Sequence, residues 1–330
     1  MIYLVRCNNS VVTDFYLETI AKMLSDDKSM VQNYSSDIKV KEKDTIIVAT
    51  VIDFFRVYMK GYKKIIYWMQ GIESEESYLK HNSKVRVFIL DKFTKFALKR
   101  STAVFYVSKA MKDYENNKFH IDTNEKSFIM PCFNTYIDIK TIETERKYEK
   151  NIFAYVGSLS KWQCFDKTLD FYKKIYSLIP GCELKIFTGD KERAVKLLEE
   201  KKIKNYHVDF VKSKELTKNL SDVKFGFVLR DNISVNNVAT PTKLSSYMAA
   251  GVIPIYSDCL LDFNEIAKNI KFVIPIDEKQ NITDKLKKLC KEEIDVNELK
   301  TEYLKLFDTY YNPDYYIKKL SKRLQRKINI

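Results

Sequence analysis

The sequence predicts an α/β protein built from two doubly wound parallel sheets. Short apolar runs recur along the chain and alternate with segments of helical spacing. The alternation pauses at a charged stretch, residues 138–150, and then begins again. A length of 330 residues with 45% hydrophobic side chains suffices for two domains of ordinary size, each with its own core. Strands that alternate with helices pack as a parallel sheet covered on both faces.

In the first half, residues 1–5, 45–50, 64–68, 103–107 and 127–130 read as strands. Residues 11–24 have helical spacing, with Phe15, Ile20 and Met23 on one face. Residues 85–98 are a second helix, with Val87, Leu90, Phe93, Phe96 and Ala97 as its apolar side. Ser108 suits the N-cap of the helix that follows it. The charged stretch reads as an inter-domain linker, with a solvated surface helix as the plain alternative. The domains are therefore expected at 1–140 and 151–312. In the second half, strands are expected at 151–156, 183–187, 207–211, 223–229, 252–256 and 272–275, with helices near 166–178, 191–202, 213–220, 241–250 and 281–290. Residues 313–330 form a last helix, with Tyr316, Leu320, Leu324 and Ile328 on one side. From Lys318 onward it carries six Lys or Arg and no acid, which suits packing against the first domain and contact with anionic lipid as a second role.

The net charge of +13 points to an acidic partner: a phosphorylated ligand, an anionic membrane surface or a nucleic acid. The chain has no aromatic-rich RNA motif or helix-turn-helix pattern, and its basic residues are spread, so a nucleic-acid-binding protein is the weaker alternative. Cys7, Cys132, Cys164, Cys182, Cys259 and Cys290 show no metal or redox spacing and read as free thiols in a reducing compartment. With no signal segment and no apolar run long enough to span a bilayer, a cytoplasmic chain is expected, at most at the inner membrane face. His81, His120 and His207 have no ligand-like spacing, so no metal is expected. The absence of G-x-G-x-x-G argues against a dinucleotide enzyme.

The informative stretch is Phe225 to Pro254. An apolar strand leads into a polar loop, Pro241 opens a helix and Gly251 closes it. Such a loop lies at the carboxyl ends of the strands, where open α/β sheets bind ligands, and the helix start offers N–H groups to an anion. Arg230 and Lys243 flank that start. A plain βαβ connection is the alternative.

The segment Pro-Thr-Lys-Leu-Ser-Ser-Tyr-Met-Ala-Ala-Gly-Val-Ile-Pro, Pro241 to Pro254, resembles the donor site of family 4 glycosyltransferases, and Trp68 to Tyr78 resembles a segment of the subgroup that builds capsular and surface polysaccharides. The resemblance implies the GT-B fold, two Rossmann-like domains facing a cleft that holds the active site. It also implies transfer of a sugar from a nucleotide-sugar, UDP-sugar favoured, to a cell-surface glycan or lipid-linked acceptor, with retention and without a metal or other cofactor. The absence of an Asp-x-Asp motif agrees with that. By the resemblance, Pro241, Thr242 and Ser246 hold the donor, and Arg230 and Lys243 offset the departing diphosphate. Gly157, Ser158 and Lys161 match the glycine turn that opens the donor domain, although the family arginine falls at Ser158 and the family lysine at Gln163. Phe210 and Val211 fall near the nucleobase. Gln70 stands where many members carry histidine or aspartate, Glu75 and Glu76 follow as candidates to bind or activate an acceptor hydroxyl, and Asn134 lies on the acceptor side. For the two glutamates, a solvated acidic helix start is the alternative. The family's E-x₇-E pair would fall at Val238 and Ser246, neither of them acidic. That departure keeps a second reading in play, an inactive GT-B-like binding subunit of a glycosyltransferase complex.

Overall fold

The computed structural model describes residues 1–6, 11–39, 41–133, 135–277 and 290–328. They form two compact units. The first comprises residues 1–132, 238–240 and 309–330, and the second residues 133–237 and 241–308.

The first unit holds a six-stranded parallel sheet. Its strands are β1 (Ile2–Leu4), β2 (Val31–Asn33), β3 (Thr45–Val48), β4 (Lys64–Met69), β5 (Ala103–Tyr106) and β6 (Ser127–Ile129), in the order β2-β1-β3-β4-β5-β6. Period-two alternation sends neighbours in β4 to opposite faces. Trp68 stacks on Tyr16 of the helix Val11–Leu24 at 4.5 Å, while Tyr67 meets Phe54 of the helix Val51–Met59 edge-on at 5.9 Å. Both faces are thus covered, and every residue of β4 after Lys64 is buried. The C-terminal helix Pro313–Ile328 belongs to this unit. Tyr316, Leu320, Leu324 and Ile328 are its buried side. Gln325 Nε2 donates to the Met23 carbonyl at 3.0 Å, and the Arg323 guanidinium lies 4.6 Å from the Phe128 ring.

The second unit holds β7 (Ile152–Val156), β8 (Glu183–Phe187), β9 (Tyr206–Asp209), β10 (Phe225–Val228), β11 (Ile253–Ser257) and β12 (Ile274–Ile276). All pair in parallel, in the order β12-β11-β10-β7-β8-β9. The direction of winding reverses between β7 and β10, so the ligand crevice of such a sheet falls at their carboxyl ends. Phe225 and Phe227 of β10 stack on Phe153 of β7, and Phe227 also meets Phe171 and Tyr172 of the helix Phe165–Leu178. Gly226 points to the other face. A Cβ there would come within 2.7 Å of the Tyr247 ring on the helix Thr242–Ala249. The glycine is what lets that helix press against the crevice.

The charged stretch is not a free linker. Residues 133–150 lie within the second unit, which places the boundary earlier than the sequence suggests. Asp138 N–H donates to the Ala249 carbonyl at 2.8 Å, and Asp138 also caps the short helix Ile139–Ile142. Lys147 is buried and donates to the carbonyls of Leu220 (2.8 Å) and Ala250 (2.7 Å). These are orphan acceptors at two helix ends, which a lysine satisfies. Burial pulls the Lys147 ammonium down to about 7. The helix expected near 281–290 lies almost wholly outside the described residues. No described helix is long and apolar enough to cross a membrane.

Candidate functional site

Gly157 follows β7 and turns the chain with φ +127°, a conformation that L side chains rarely adopt. A Cβ on it would meet Lys243 Cε and Nζ at 3.2 Å. The Lys243 stem therefore occupies the space that the glycine leaves. Lys243 lies in the first turn of the helix Thr242–Ala249, with Pro241 at the N-cap. The first N–H groups of that turn have no intrahelical acceptor. Gly251, φ +74°, follows the C-cap Ala250, as the sequence predicts.

The Lys243 ammonium is buried and has no hydrogen-bond partner among the described residues. It lies 4.3 Å over the Tyr155 ring. Burial holds it well below the usual lysine range, and the Arg230 charge pushes it lower still. Arg230 follows β10 and is 2% exposed. Its Nη1 donates to the carbonyls of Gln163 (2.8 Å) and Leu229 (2.9 Å), and its Nη2 donates to Gln163 Oε1 at 2.5 Å. Its backbone N–H donates to Ser257 Oγ at 2.9 Å. Burial lowers Arg230 as well. The groups that oppose this at Lys243 and Arg230 are tyrosines and cysteines, which are neutral at pH 7, and no carboxylate is among them. Two buried cations thus stand at the switch point without a matching negative charge among the described residues. Such a pair is costly until an anion enters.

The other donor-side residues surround this pair unevenly. Ser158 accepts the Tyr155 hydroxyl on its carbonyl at 2.7 Å, and its own hydroxyl pairs with Ser160 at 3.0 Å. Lys161 begins the turn Lys161–Gln163 and lines a cavity of 790 Å³ together with Lys167 and Arg193. Ser246 Oγ donates to the Thr242 carbonyl of its own helix at 3.1 Å. Val238 is buried in the first unit, and its carbonyl accepts Ser108 Oγ at 2.6 Å. β9 stops at Asp209, so Phe210 and Val211 lie in the loop after it rather than in the strand. Phe210 is 57% exposed, with its ring 3.9 Å from where a Cβ on Gly189 would stand.

Three participants escape sequence reasoning. Gln163 holds Arg230 although it stands at the family's lysine position. Tyr155 supplies the ring under Lys243. Tyr247 accepts the Val156 N–H at 3.0 Å and ties the helix to β7. Only Tyr247 left a signal, since it stands four residues after Lys243 on the same helix face.

The acceptor-side residues lie in the first unit, except Asn134, which lies outside the described residues. Gln70 is exposed, and its Nε2 reaches the Ala49 carbonyl at 3.5 Å. Glu75 is committed to its own unit, accepting Tyr114 Oη (2.9 Å) and Lys118 Nζ (3.0 Å) on Oε1. Glu76 folds over Gly71 into the space that a Cβ would fill, and burial raises its carboxyl. Glu73 accepts the Val51 N–H (2.8 Å) and the Tyr67 hydroxyl (3.1 Å). These glutamates begin the helix Glu73–His81, yet Glu73 and Glu76 are largely withdrawn from water, so this is no solvated helix start.

Glu115, on the helix Lys109–Phe119, is 1% exposed, and neither carboxyl oxygen has a partner among the described residues. Burial pushes it up to about 8, against the pull of Lys118. The folded value lies above the roughly 4.3 of a free glutamate. Folding therefore takes up a proton between those values, and stability falls as pH rises through that window. Glu115→Gln is expected to match the parent near about pH 5 and to exceed it by roughly 2–4 kcal/mol near about pH 9 in urea unfolding. A difference that does not change with pH would contradict this assignment.

No family model matches the chain, and no curated protein matches it. Solved structures do. HepE from Anabaena, solved with UDP, superposes with a TM-score of 0.67 at 10% identity, over 98% of this chain and 99% of its own. The lipopolysaccharide outer core galactosyltransferase WaaB, solved in its apo form, gives 0.65 at 12% identity, over 99% of this chain and 98% of its own. The fold is GT-B. A point mutant of S. aureus TarM, solved with Fondaparinux, alpha-GlcNAc-glycerol and UDP, gives 0.64 at 11% identity, covering 88% of this chain. The chain spans 57% of that TarM chain, and 63% of TarM in a second structure. In GT-B terms, Gly157, Arg230 and Lys243 stand at the strand ends of the second Rossmann-like unit, at its switch point.

Proposed function

We propose that this GT-B chain is a glycosyltransferase that moves a sugar from a nucleotide-sugar, UDP-sugar favoured, to a surface glycan or lipid-linked acceptor. The observation that carries the reading is the uncompensated pair Lys243 and Arg230 at the start of the helix Thr242–Ala249. A diphosphate supplies the missing negative charge. When the anomeric C–O bond breaks, the electron pair passes to the β-phosphate oxygen. Lys243, Arg230 and the N–H groups near Thr242 stabilise it there, with no reorganisation at the moment of reaction. These groups offset the leaving charge without a metal, and the acceptor oxygen bonds the anomeric carbon with retention as its proton passes to the departing β-phosphate oxygen. HepE and the TarM mutant, both solved with UDP, support the donor class. On the acceptor side Gln70 is the exposed candidate, whereas Glu75 is engaged within its unit and burial raises the Glu76 carboxyl. The chain works in the cytoplasm, with peripheral contact to an anionic membrane as a second role, and does not require nucleic acid.

A binding-subunit reading has one observation in its favour. Ser246 spends its hydroxyl proton on its own helix and Val238 is apolar, so the family's acidic contacts to the donor have no counterpart at these positions. A thermal-shift panel of UDP, UMP, uridine, GDP and a short RNA tests both. UDP at about 100 times its Kd is expected to add roughly 2.7 kcal/mol, and uridine at the same concentration far less. Equal responses to UDP and uridine would remove the diphosphate site. A UDP response with no turnover of any UDP-sugar would leave the binding subunit.

A further inference from the structure

The helix Lys84–Arg100 leaves one side of its first turns uncovered. Val85, Phe88 and Ile89 are 69%, 62% and 47% exposed. Their spacing places them on one stripe. The neighbouring helix Val51–Met59 is joined to it by the Phe55–Phe93 stack at 4.9 Å, and it exposes Ile52 (54%) and Met59 (68%). Tyr78, on the helix before, is 38% exposed. Among the described residues, half of the twelve exposed large apolar side chains belong to these three consecutive helices. That is a concentration, not the scatter normal for a protein surface.

The same region is strongly cationic. From Lys80 to Arg100 stand seven Lys or Arg and one acid, Asp91, which is itself paired with Lys118 at 2.9 Å. Lys84 and Arg86 flank Val85 and are exposed. Lys92 continues the stripe, with Nζ folded back 5.1 Å over the Phe88 ring, so that its stem covers apolar surface while its head stays in water. A second copy of this chain would bring the seven cations against one another, and protein interface cores are depleted of lysine. An apolar stripe bordered by an excess of cations fits a lipid surface of opposite charge. The basic C-terminal helix differs, because its apolar side is buried in its own unit and it offers lipid charge alone.

We propose that this face is an interfacial docking surface for an anionic bilayer. Phe88 and Ile89 enter the boundary between headgroups and acyl chains, and Lys84, Arg86 and Lys92 rest on acidic headgroups. The surface is independent of the transfer chemistry, since vesicle binding needs no donor nucleotide. The full chain is to be sedimented with sucrose-loaded vesicles of phosphatidylcholine alone and of phosphatidylcholine mixed with phosphatidylglycerol. Binding is expected to the mixed vesicles only. The double substitution Phe88→Ser, Ile89→Ser should lower the partition coefficient by about tenfold or more with an unchanged melting curve, since both side chains are exposed. Lys84→Glu with Lys92→Glu should lower it by roughly fivefold per unit of charge, and more than Lys318→Glu with Lys322→Glu. The proposal is overturned if the parent ignores mixed vesicles, or if Phe88→Ser, Ile89→Ser binds them as the parent does. It is equally overturned if that variant instead dissolves a dimer seen without lipid, because a second copy then covers the face.

Discussion

Lys243→Met is expected to cut the preference for UDP over uridine by roughly 10- to 150-fold while leaving the unliganded chain at least as stable as the parent. The two halves of this result have one cause. Lys243 is buried beside Arg230 with no hydrogen-bond acceptor among the described residues, so its charge costs stability in the empty site. Methionine keeps the stem that fills the space over Gly157 and removes the charge. A charge-assisted hydrogen bond contributes about 1.5–3 kcal/mol, so UDP affinity should fall roughly 10- to 150-fold. The pH dependence has a definite sign. The folded ammonium titrates below the roughly 10.4 of a free lysine, so the unfolded chain binds more protons across that window. Stability contributed by this site therefore rises with pH towards the free lysine value, and the variant should lose that slope. A bound diphosphate restores the charge, so UDP binding should take up a proton where Lys243 is otherwise neutral. Calorimetry in two buffers of different ionisation enthalpy reads that uptake directly. A methionine variant that binds UDP as the parent does would sink the assignment of Lys243.

Much of the architecture was legible because it rests on local patterns. The buried runs of β7, β10 and β11 are apolar almost throughout, as strands covered on both faces must be. Pro241 and Gly251 bracket the site helix by their backbone preferences alone. β2 was not legible: it has three residues, one half-buried and two exposed, and an edge strand of that kind leaves no apolar run. The linker expectation failed for a related reason. Charge in sequence reads as solvent, yet Lys147 is buried because two carbonyls at helix ends accept its hydrogen bonds. In the site, Arg230 and Lys243 were visible from their place beside a predicted helix start. Gln163 was not, because its contact with Arg230 spans 67 residues and follows from sheet order, not from spacing. The withdrawn carboxyls of Glu76 and Glu115 were hidden in the same way, since burial is a tertiary property.

Arg230→Ala is expected to cut sugar transfer about a hundredfold, the usual loss when a preorganised donor to a developing oxyanion is removed. Loss of activity alone would not separate chemistry from scaffold, because Arg230 also ties Gln163 and Leu229 together. The variant leaves those carbonyls unpaired and should lose about 1–3 kcal/mol of stability as well. Gln163→Glu separates the two roles. It keeps the length and the contact to Arg230 but places a carboxylate beside the buried cations, where no carboxylate now acts on them. The site then neutralises itself. Unliganded stability should rise, because a buried cation gains a partner, whereas UDP must displace that partner and should bind about tenfold or more weaker. If the two cations serve only to brace the fold, Gln163→Glu stabilises the chain and leaves UDP affinity unchanged. Urea unfolding and UDP titration of the same preparation decide between these outcomes, and only a rise in stability paired with a loss of affinity supports an anion site at the switch point.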